Sequence, residues 1–303
     1  MIPTHNRAAL LPRAIKGVLA QSASPFEVVV VDDGSTDDTA SVLEAIGDAR
    51  VRTVHQAQAG VAAARNHGAR VATGEVLLFL DDDDDVEPSW LQALTDPFAD
   101  PSIALVSCAS IHCQPDGSQP RESPVRDLGA AYDHIQAKFD TGTYAVRRDA
   151  FEAAGGFAEE VASGEHHELG LRLVDVLAAR SWRSTFVSTP LVTIHDRASI
   201  DRSSNDPHRL LTSALYFVDH HRQRLARNPN LLANYLAIAG VSAARLGDFP
   251  KARRLLGQAA RTQPTRVKHY GRWLLAAVPP FGRRVWRADQ WQGVTTTQPA
   301  ERG

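Results

Sequence analysis

Apolar positions along this chain follow two rhythms. Short unbroken runs, four to eight residues long, predict strands covered on both faces, and they alternate with stretches whose apolar residues recur at helical spacing. The first such stretch predicts a helix over about 8–21, with Leu10, Leu11, Ala14, Ile15, Val18 and Leu19 on one face. Strands are expected at 26–31, 51–55, 75–80 and 103–109, and helices at 36–46, 61–72 and 89–98. Segment 114–140 is polar and punctuated by Pro and Gly, which predicts a loop with one short helix near 132–138. Beyond it TGTYAVRRDAFEAAGGF reads as strand, helix and Gly turn, and SGEHHELGLRLVDVLAAR as a helix. Strands at 185–187 and 191–195 complete the alternation.

This order predicts an α/β fold, an open and mostly parallel sheet with helices on both faces. Ligands of such sheets sit at the carboxyl ends of the strands. After about 205 the rhythm becomes helical throughout, with helices expected at 207–226, 229–246, 250–262 and 265–277 and Pro near several starts. One stretch, AGVSAARLGDFPKARRLLGQAARTQP, has the pattern of a tetratricopeptide hairpin, but one unit cannot build a solenoid. The expected division is therefore 1–204 for the α/β domain, 205–288 for an all-α extension and 289–303 for a disordered tail. The chain opens on Met1-Ile2-Pro3-Thr4, the end of a buried strand with almost nothing before it; either a start codon lies upstream or the first strand is a stub.

Composition narrows the class. With 303 residues, 43% hydrophobic and 22% charged, the chain is of ordinary globular make-up, and a formal net charge of −2 argues against nucleic acid as the main partner. Two cysteines, Cys108 and Cys113, are too few for a structural zinc site and fit a reducing cytoplasm. No leader or spanning run stands out. WLLAAVPPF, at 273–281, is short and holds two prolines, so at most it touches a membrane surface, which places the protein in the cytoplasm or peripherally at the inner face of the membrane.

Chemistry concentrates at two strand ends. VVVVDDGSTDDT closes one strand with Asp32-Asp33 before a Gly turn, and LLFLDDDDDVEP closes another with Asp81 to Asp85. Five adjacent carboxylates repel one another, so the run is either a solvated loop or the seat of a cation.

Four ordered blocks, IPTHNRAALLPRAIKGVLAQ, FEVVVVDDGSTDDT, AGVAAARNHGARVATGEVLLFLDDDDDVEP and RRDAFEAAGGF with GEHHELGLRL, resemble the family 2 glycosyltransferases of the GT-A fold over about residues 1–200. The resemblance implies a hexosyl or related transferase that takes a nucleoside-diphosphate sugar, a saccharide or other hydroxyl acceptor, and a divalent metal, Mn2+ or Mg2+. On the family's D-x-D pattern Asp83 contacts the metal, while Asp81, with Asp82, faces the donor ribose or the metal's waters. Asp33 reads the base, with Thr4 lining the same pocket; the plainer reading is that Asp32 and Asp33 orient the turn. Arg65 and Asn66 interrupt a small-residue helix near the sheet, and Arg65 serves either as a fixed charge at the nucleotide site or as a structural ion pair. His195 stands where family members carry a histidine that is sometimes a metal ligand, although one residue is inserted between it and Ser199.

The pattern breaks at the general base. The family presents Glu-Asp at a helix start, with Asp as base; here the residues are Glu165-His166, then His167 and Glu168. His166 can do the task, since imidazole titrates near neutral pH, and Glu165 or Glu168 can substitute. Loss of activity, leaving a binding scaffold, is the rival reading. A nucleotidyltransferase shares the metal carboxylates but calls for a Gly-rich basic N-terminal loop that Pro3-Thr4-His5-Asn6 does not supply. Receiver and phosphatase folds place their acids on other strands.

Overall fold

Four consecutive valines show why the sheet forms where it does. Val28 and Val30 pack with Leu11, Ile15 and Leu43 on one face, whereas Val29 and Val31 pack with Ala64 on the other. Alternation across a strand makes an uninterrupted apolar run possible only when both faces are covered. The coordinates, a computed structural model, describe residues 1–114, 118–195 and 206–286. The chain divides into two compact units, Met1–Ala198 and Ser199–Gly303. The boundary expected at 204/205 and the tail expected from 289 lie outside the described residues.

In the first unit β1 (Ile2–Thr4) lies parallel to β2 (Val28–Asp33), which lies parallel to β3 (Val51–Gln56). The Met1 amine donates to the Leu78 carbonyl at 2.8 Å and the Leu80 amide donates to the Met1 carbonyl at 2.9 Å, so β1 also borders β4 (Val76–Leu78). From β4 the sheet continues through β10 (Tyr144–Arg147), β6 (Ile103–Cys113) and β11 (Arg183–His195) to β5 (Asp85–Val86). β10 runs antiparallel to both neighbours, while β11 is parallel to β6. Helices α1 (Leu11–Leu19), α2 (Thr39–Glu44) and α4 (Trp90–Thr95) contribute to the larger core, and α3 (Val61–Val71) covers the opposite face. Gly68 of α3 permits that approach, since a Cβ there would lie 2.7 Å from the Met1 sulfur.

Segment 114–140 departs from expectation. In place of a helix at 132–138 it holds short strands β7 (Arg121–Ser123), β8 (Arg126–Asp127) and β9 (Gln136–Ala137), with a 3-10 turn at Ala130–Tyr132. Asp133 and His134 both have positive φ, 51° and 59°, and two left-handed residues in succession stop any right-handed helix. The two strands expected at 185–187 and 191–195 form one, with register shifts on either side of Pro190. Helices α5 (Arg148–Ala153) and α6 (Glu165–Ala179) complete this unit.

Among its described residues the second unit holds only helices: α7 (Pro207–His220), α8 (Arg222–Ala226), α9 (Pro229–Arg245), α10 (Phe249–Thr262), α11 (Val267–Ala277) and α12 (Pro279–Val285). Asp206, Asn228 and Asp248 cap α7, α9 and α10 through their side-chain oxygens, each ahead of a Pro in the first turn. α9 and α10 meet closely at Gly240, where a Cβ would lie 2.6 Å from Leu256. The helix expected over 207–226 breaks at His221, and α12 was not expected. Among the described residues no helix is long and apolar enough to cross a membrane.

Candidate active site at the carboxyl ends of the strands

The acidic run begins three residues after β4 and is sorted by its neighbours. Asp81 accepts from the Arg65 guanidinium at 2.7 Å, Asp83 pairs with Arg7 at 3.2 Å, and Asp85 pairs with Arg13 at 3.0 Å and with the His195 ring at 2.7 Å. Asp82 and Asp84 point inward and are buried. The Thr4 hydroxyl donates to Asp82 at 2.7 Å, and the His195 amide donates to Asp84 at 3.1 Å. Burial, followed by the Asp81 and Asp83 charges, pushes Asp82 up to about 7 against the pull of Thr4 and Arg7. Burial and the same two charges push Asp84 well above the usual carboxylate range. Five carboxyl groups thus meet three arginines, and Asp82 and Asp84, which none of the arginine pairs uses, are the two whose ionisation burial disfavours most.

Oxygens of Asp81, Asp83 and Asp84 lie within 4.8 Å of one another. An all-carboxylate set with surplus negative charge is what a hard divalent cation of the Mg2+ or Mn2+ kind requires, so these residues fit such an ion. The cluster includes Asp83 and Asp81 but takes Asp84 in place of Asp82, which Thr4 occupies. The His195 ring faces Asp85, beside the cluster rather than in it.

On the β2 side, Asp33 accepts from Gln56 Nε2, the Ala59 amide and the Gly60 amide, each at 2.8 Å. It thereby fixes the loop entering α3, where Gly60 takes a φ of 96°. Three of about four acceptor positions on the carboxylate are used. Asp32 is engaged by the Ser35 amide and the His55 ring, at 2.9 and 3.1 Å, and orients the turn. Asn66 makes a reciprocal pair with the Phe157 backbone at 2.8 and 2.9 Å, which staples α3 to the loop after α5 and takes it away from the acids.

Arg65 is the link between the strand end and α6. It is 2% exposed; one terminal nitrogen binds Asp81, the other binds Glu165 at 2.6 Å, and its Nε has no partner. Burial alone would disfavour its charge, but Asp81 and Glu165 outweigh that and raise its pKa further. Glu165, the first residue of α6, has its Oε1 on Arg65.

His166 turns into the core instead. The Tyr144 hydroxyl lies 2.8 Å from its Nδ1 and the Thr141 hydroxyl 3.0 Å from its Nε2, with Phe79, Tyr144 and Phe157 packed around the ring. Burial, then Arg65 and His167, pushes its pKa well below that of free imidazole. With both nitrogens occupied, His166 is a neutral packing residue in this geometry. Glu168 is fully buried against Arg172, at 2.8 Å from its Nε. His167, one-third exposed, lies 3.8 Å from Asp140, itself held by Lys138 at 2.6 Å. Arg7, Arg13, Thr141 and Asp140 were not singled out by sequence; the arginines that follow the Pro3–Asn6 turn offered the one available signal.

A sheet of this order with acids at its strand ends is the GT-A architecture, and solved structures agree. The structure of S. aureus TarS 1–349 in complex with UDP-GlcNAc matches with a TM-score of 0.60 at 17% identity, over 95% of this chain and 87% of that one. The mannosyltransferase PcManGT from Pyrobaculum calidifontis, in complex with GDP-Man and Mn2+, matches with a TM-score of 0.52 at 22% identity, over 96% and 86%. The profile of glycosyl transferase family 2 matches residues 1–155, and the chain belongs to that family. Among curated relatives, a validoxylamine A glucosyltransferase of Streptomyces hygroscopicus subsp. limoneus is 43% identical over 111 residues, 35% of this chain and 24% of the relative. An uncharacterized glycosyltransferase of Nostoc sp. is 42% identical over 101 residues, 32% of this chain and 31% of the relative. The aligned part thus spans less than a third of either relative's length.

Proposed function

We propose that the protein is a metal-dependent, inverting glycosyltransferase that moves a sugar from a nucleoside-diphosphate sugar to an acceptor hydroxyl, in assembly of a glycan or cell-surface polysaccharide. The observation that carries this reading is the carboxylate cluster Asp81, Asp83 and Asp84 beyond β4, beside Thr4 and the end of β2. The glucosyltransferase among the relatives, and the UDP-GlcNAc and the GDP-Man with Mn2+ held by the structural neighbours, support it. Bound Mn2+ or Mg2+ would neutralise the departing diphosphate.

The chain's own residues supply the rest. Asp33 holds the Ala59–Gly60 loop as a wall of the nucleotide pocket and keeps about one acceptor position for a base N–H. Arg65 fixes Asp81 and Glu165 with one planar fork, which sets the distance between donor side and acceptor side. Glu165 is the general base in this reading: its Oε2 takes the hydroxyl proton as the acceptor oxygen bonds the anomeric carbon and the bond to the diphosphate breaks. A single displacement with one general base inverts the anomeric carbon, and Glu165 in that role is why we read the transfer as inverting.

The test is thermal shift and nucleoside-diphosphate release over a panel of nucleotide sugars, with Mn2+, Mg2+ or EDTA. A metal-dependent shift that Asp83→Ala abolishes is expected. No shift with any nucleotide and metal would sink the donor site and leave a binding scaffold; release of pyrophosphate would instead indicate a nucleotidyltransferase. If Glu165→Gln transfers normally while His167→Gln does not, the base is His167 beside Asp140.

A further inference from the structure

Between Phe249 and Trp286 the sequence has nine Lys or Arg and no Asp or Glu. The same segment carries a row of exposed apolar side chains: Val267 at 80% exposure, Leu274 at 57%, Phe281 at 64%, with Tyr270, Val278 and Val285 between and after them. Positions 267, 270 and 274 are spaced by three and four on α11, and 281 and 285 by four on α12, the intervals that set residues on one side of a helix, with Val278 at the bend between the two helices. The row runs through α11 and on into α12. A soluble face of this kind is unusual, because large apolar residues on helices are normally turned inward and large exposed apolar patches mark interaction sites.

We propose that α11 and α12 form a docking surface for an anionic lipid bilayer. The occupant is chosen by two features together. The cations flanking the row, Arg266, Lys268, Arg272, Arg283 and Arg284, favour a negatively charged partner, since the segment itself contributes no acid. Their mutual repulsion registers in the fold: after burial, Arg266 and Arg272 are what lower the pKa of Lys268. The apolar row is largely aliphatic, and Val267, Leu274, Val278 and Val285 offer a nucleic acid nothing to stack on but can enter the boundary between headgroups and acyl chains. Tyr270 and the partly exposed Trp273 suit the same interfacial depth, one end apolar and the other wet. An interfacial helix of this type lies on the membrane and does not cross it, which agrees with the absence of a spanning helix among the described residues.

The experiment is co-sedimentation of the full chain with phosphatidylcholine vesicles, with vesicles enriched in phosphatidylglycerol, and with duplex DNA or RNA as a competing polyanion. Binding to the phosphatidylglycerol vesicles, weakened by salt and weak on phosphatidylcholine, is expected. Arg283→Gln with Arg284→Gln should lower that affinity about 25-fold, about fivefold per cation. Leu274→Glu with Phe281→Glu should remove it; both positions are exposed, and an unchanged circular dichroism spectrum with a melting temperature no lower than that of the wild type confirms the fold. No binding to anionic vesicles, or vesicle binding untouched by both pairs, overturns the proposal; binding to nucleic acid in preference to vesicles overturns it in favour of that partner. The nucleotide-sugar shift is read separately, so either reading can fail alone.

Discussion

Residues 81–85 hold five acids in five positions, and residues 249–286 hold none in thirty-eight. The two stretches manage surplus charge in opposite ways. In the first, folding brings Arg7, Arg13, Arg65 and His195 to the acids and still leaves Asp82 and Asp84 with raised pKa values. In the second, cations stand beside exposed apolar residues with no acid in the segment. Under the two proposals above, unbalanced charge gathered at strand ends serves something small and positive, and unbalanced charge spread along α11 and α12 serves something large and negative.

The sharpest way to break the first half of this comparison is to disarm the acid that Arg65 connects to the run. Glu165→Gln keeps the size and the hydrogen bond to the guanidinium but removes the proton acceptor. Transfer should fall by about 10²–10⁴, with the metal-dependent donor shift retained, measured by product release under saturating donor. Loss of the shift together with transfer would mean that Glu165 shapes the donor pocket instead.

Arg65→Met comes next. It leaves Asp81 and Glu165 without their shared cation in a poorly solvated place. Removing one partner of a fully buried pair costs about 3–5 kcal/mol; Asp81 is about a third exposed, so screening reduces the expectation to about 2–3 kcal/mol. Urea denaturation of the two proteins measures it. A loss below about 0.5 kcal/mol would show that solvent, not Arg65, carries the acids.

These two residues also show how far sequence reasoning reaches. The strand runs were legible because strands covered on both faces must be apolar throughout, as Val28–Val31 and Ile103–Val106 are. β7, β8 and β9 were not, because strands of two or three half-exposed residues carry no period. Of the site, the clustering of Asp81 and Asp83 could be read from their place at a strand end. The inward turn of His166 could not: its partners Tyr144 and Thr141 lie 22 and 25 residues away in sequence, and nothing local to Glu165-His166 tells which of the two side chains will find them. The Arg65 fork likewise joins residues 16 and 100 positions apart.

The buried histidine gives a pH signature that separates packing from catalysis. Folded His166 titrates well below the 6.5 of the unfolded chain. Between those values the unfolded state binds a proton that the folded state refuses, so stability is full above about pH 6.5 and falls as pH drops, by up to about 1.4 kcal/mol per pH unit. Asp82, raised to about 7 from 3.8, acts in the opposite sense over the same range, so the readable quantity is the difference between wild type and His166→Gln. The variant should lose the histidine's part of the acid destabilisation in denaturant titrations at pH 5 to 7. An identical pH dependence in both proteins would mean that His166 is hydrated and titrates normally, which would restore it as a candidate base.

The smallest effect is expected from the helical stretch, and its smallness is what makes the comparison informative. Leu274 is 57% exposed and Phe281 64%, so replacing them by Glu removes little packing. The change in unfolding free energy should stay within about 0.5 kcal/mol, and new acids amid nine cations should, if anything, relieve repulsion and raise the melting temperature slightly. A clear loss of stability would show that the row is buried in solution by another part of the chain or by a second copy, and that its partner is protein. Unchanged or improved stability, alongside lost vesicle binding, would show that these side chains are kept on the surface at no benefit to the fold.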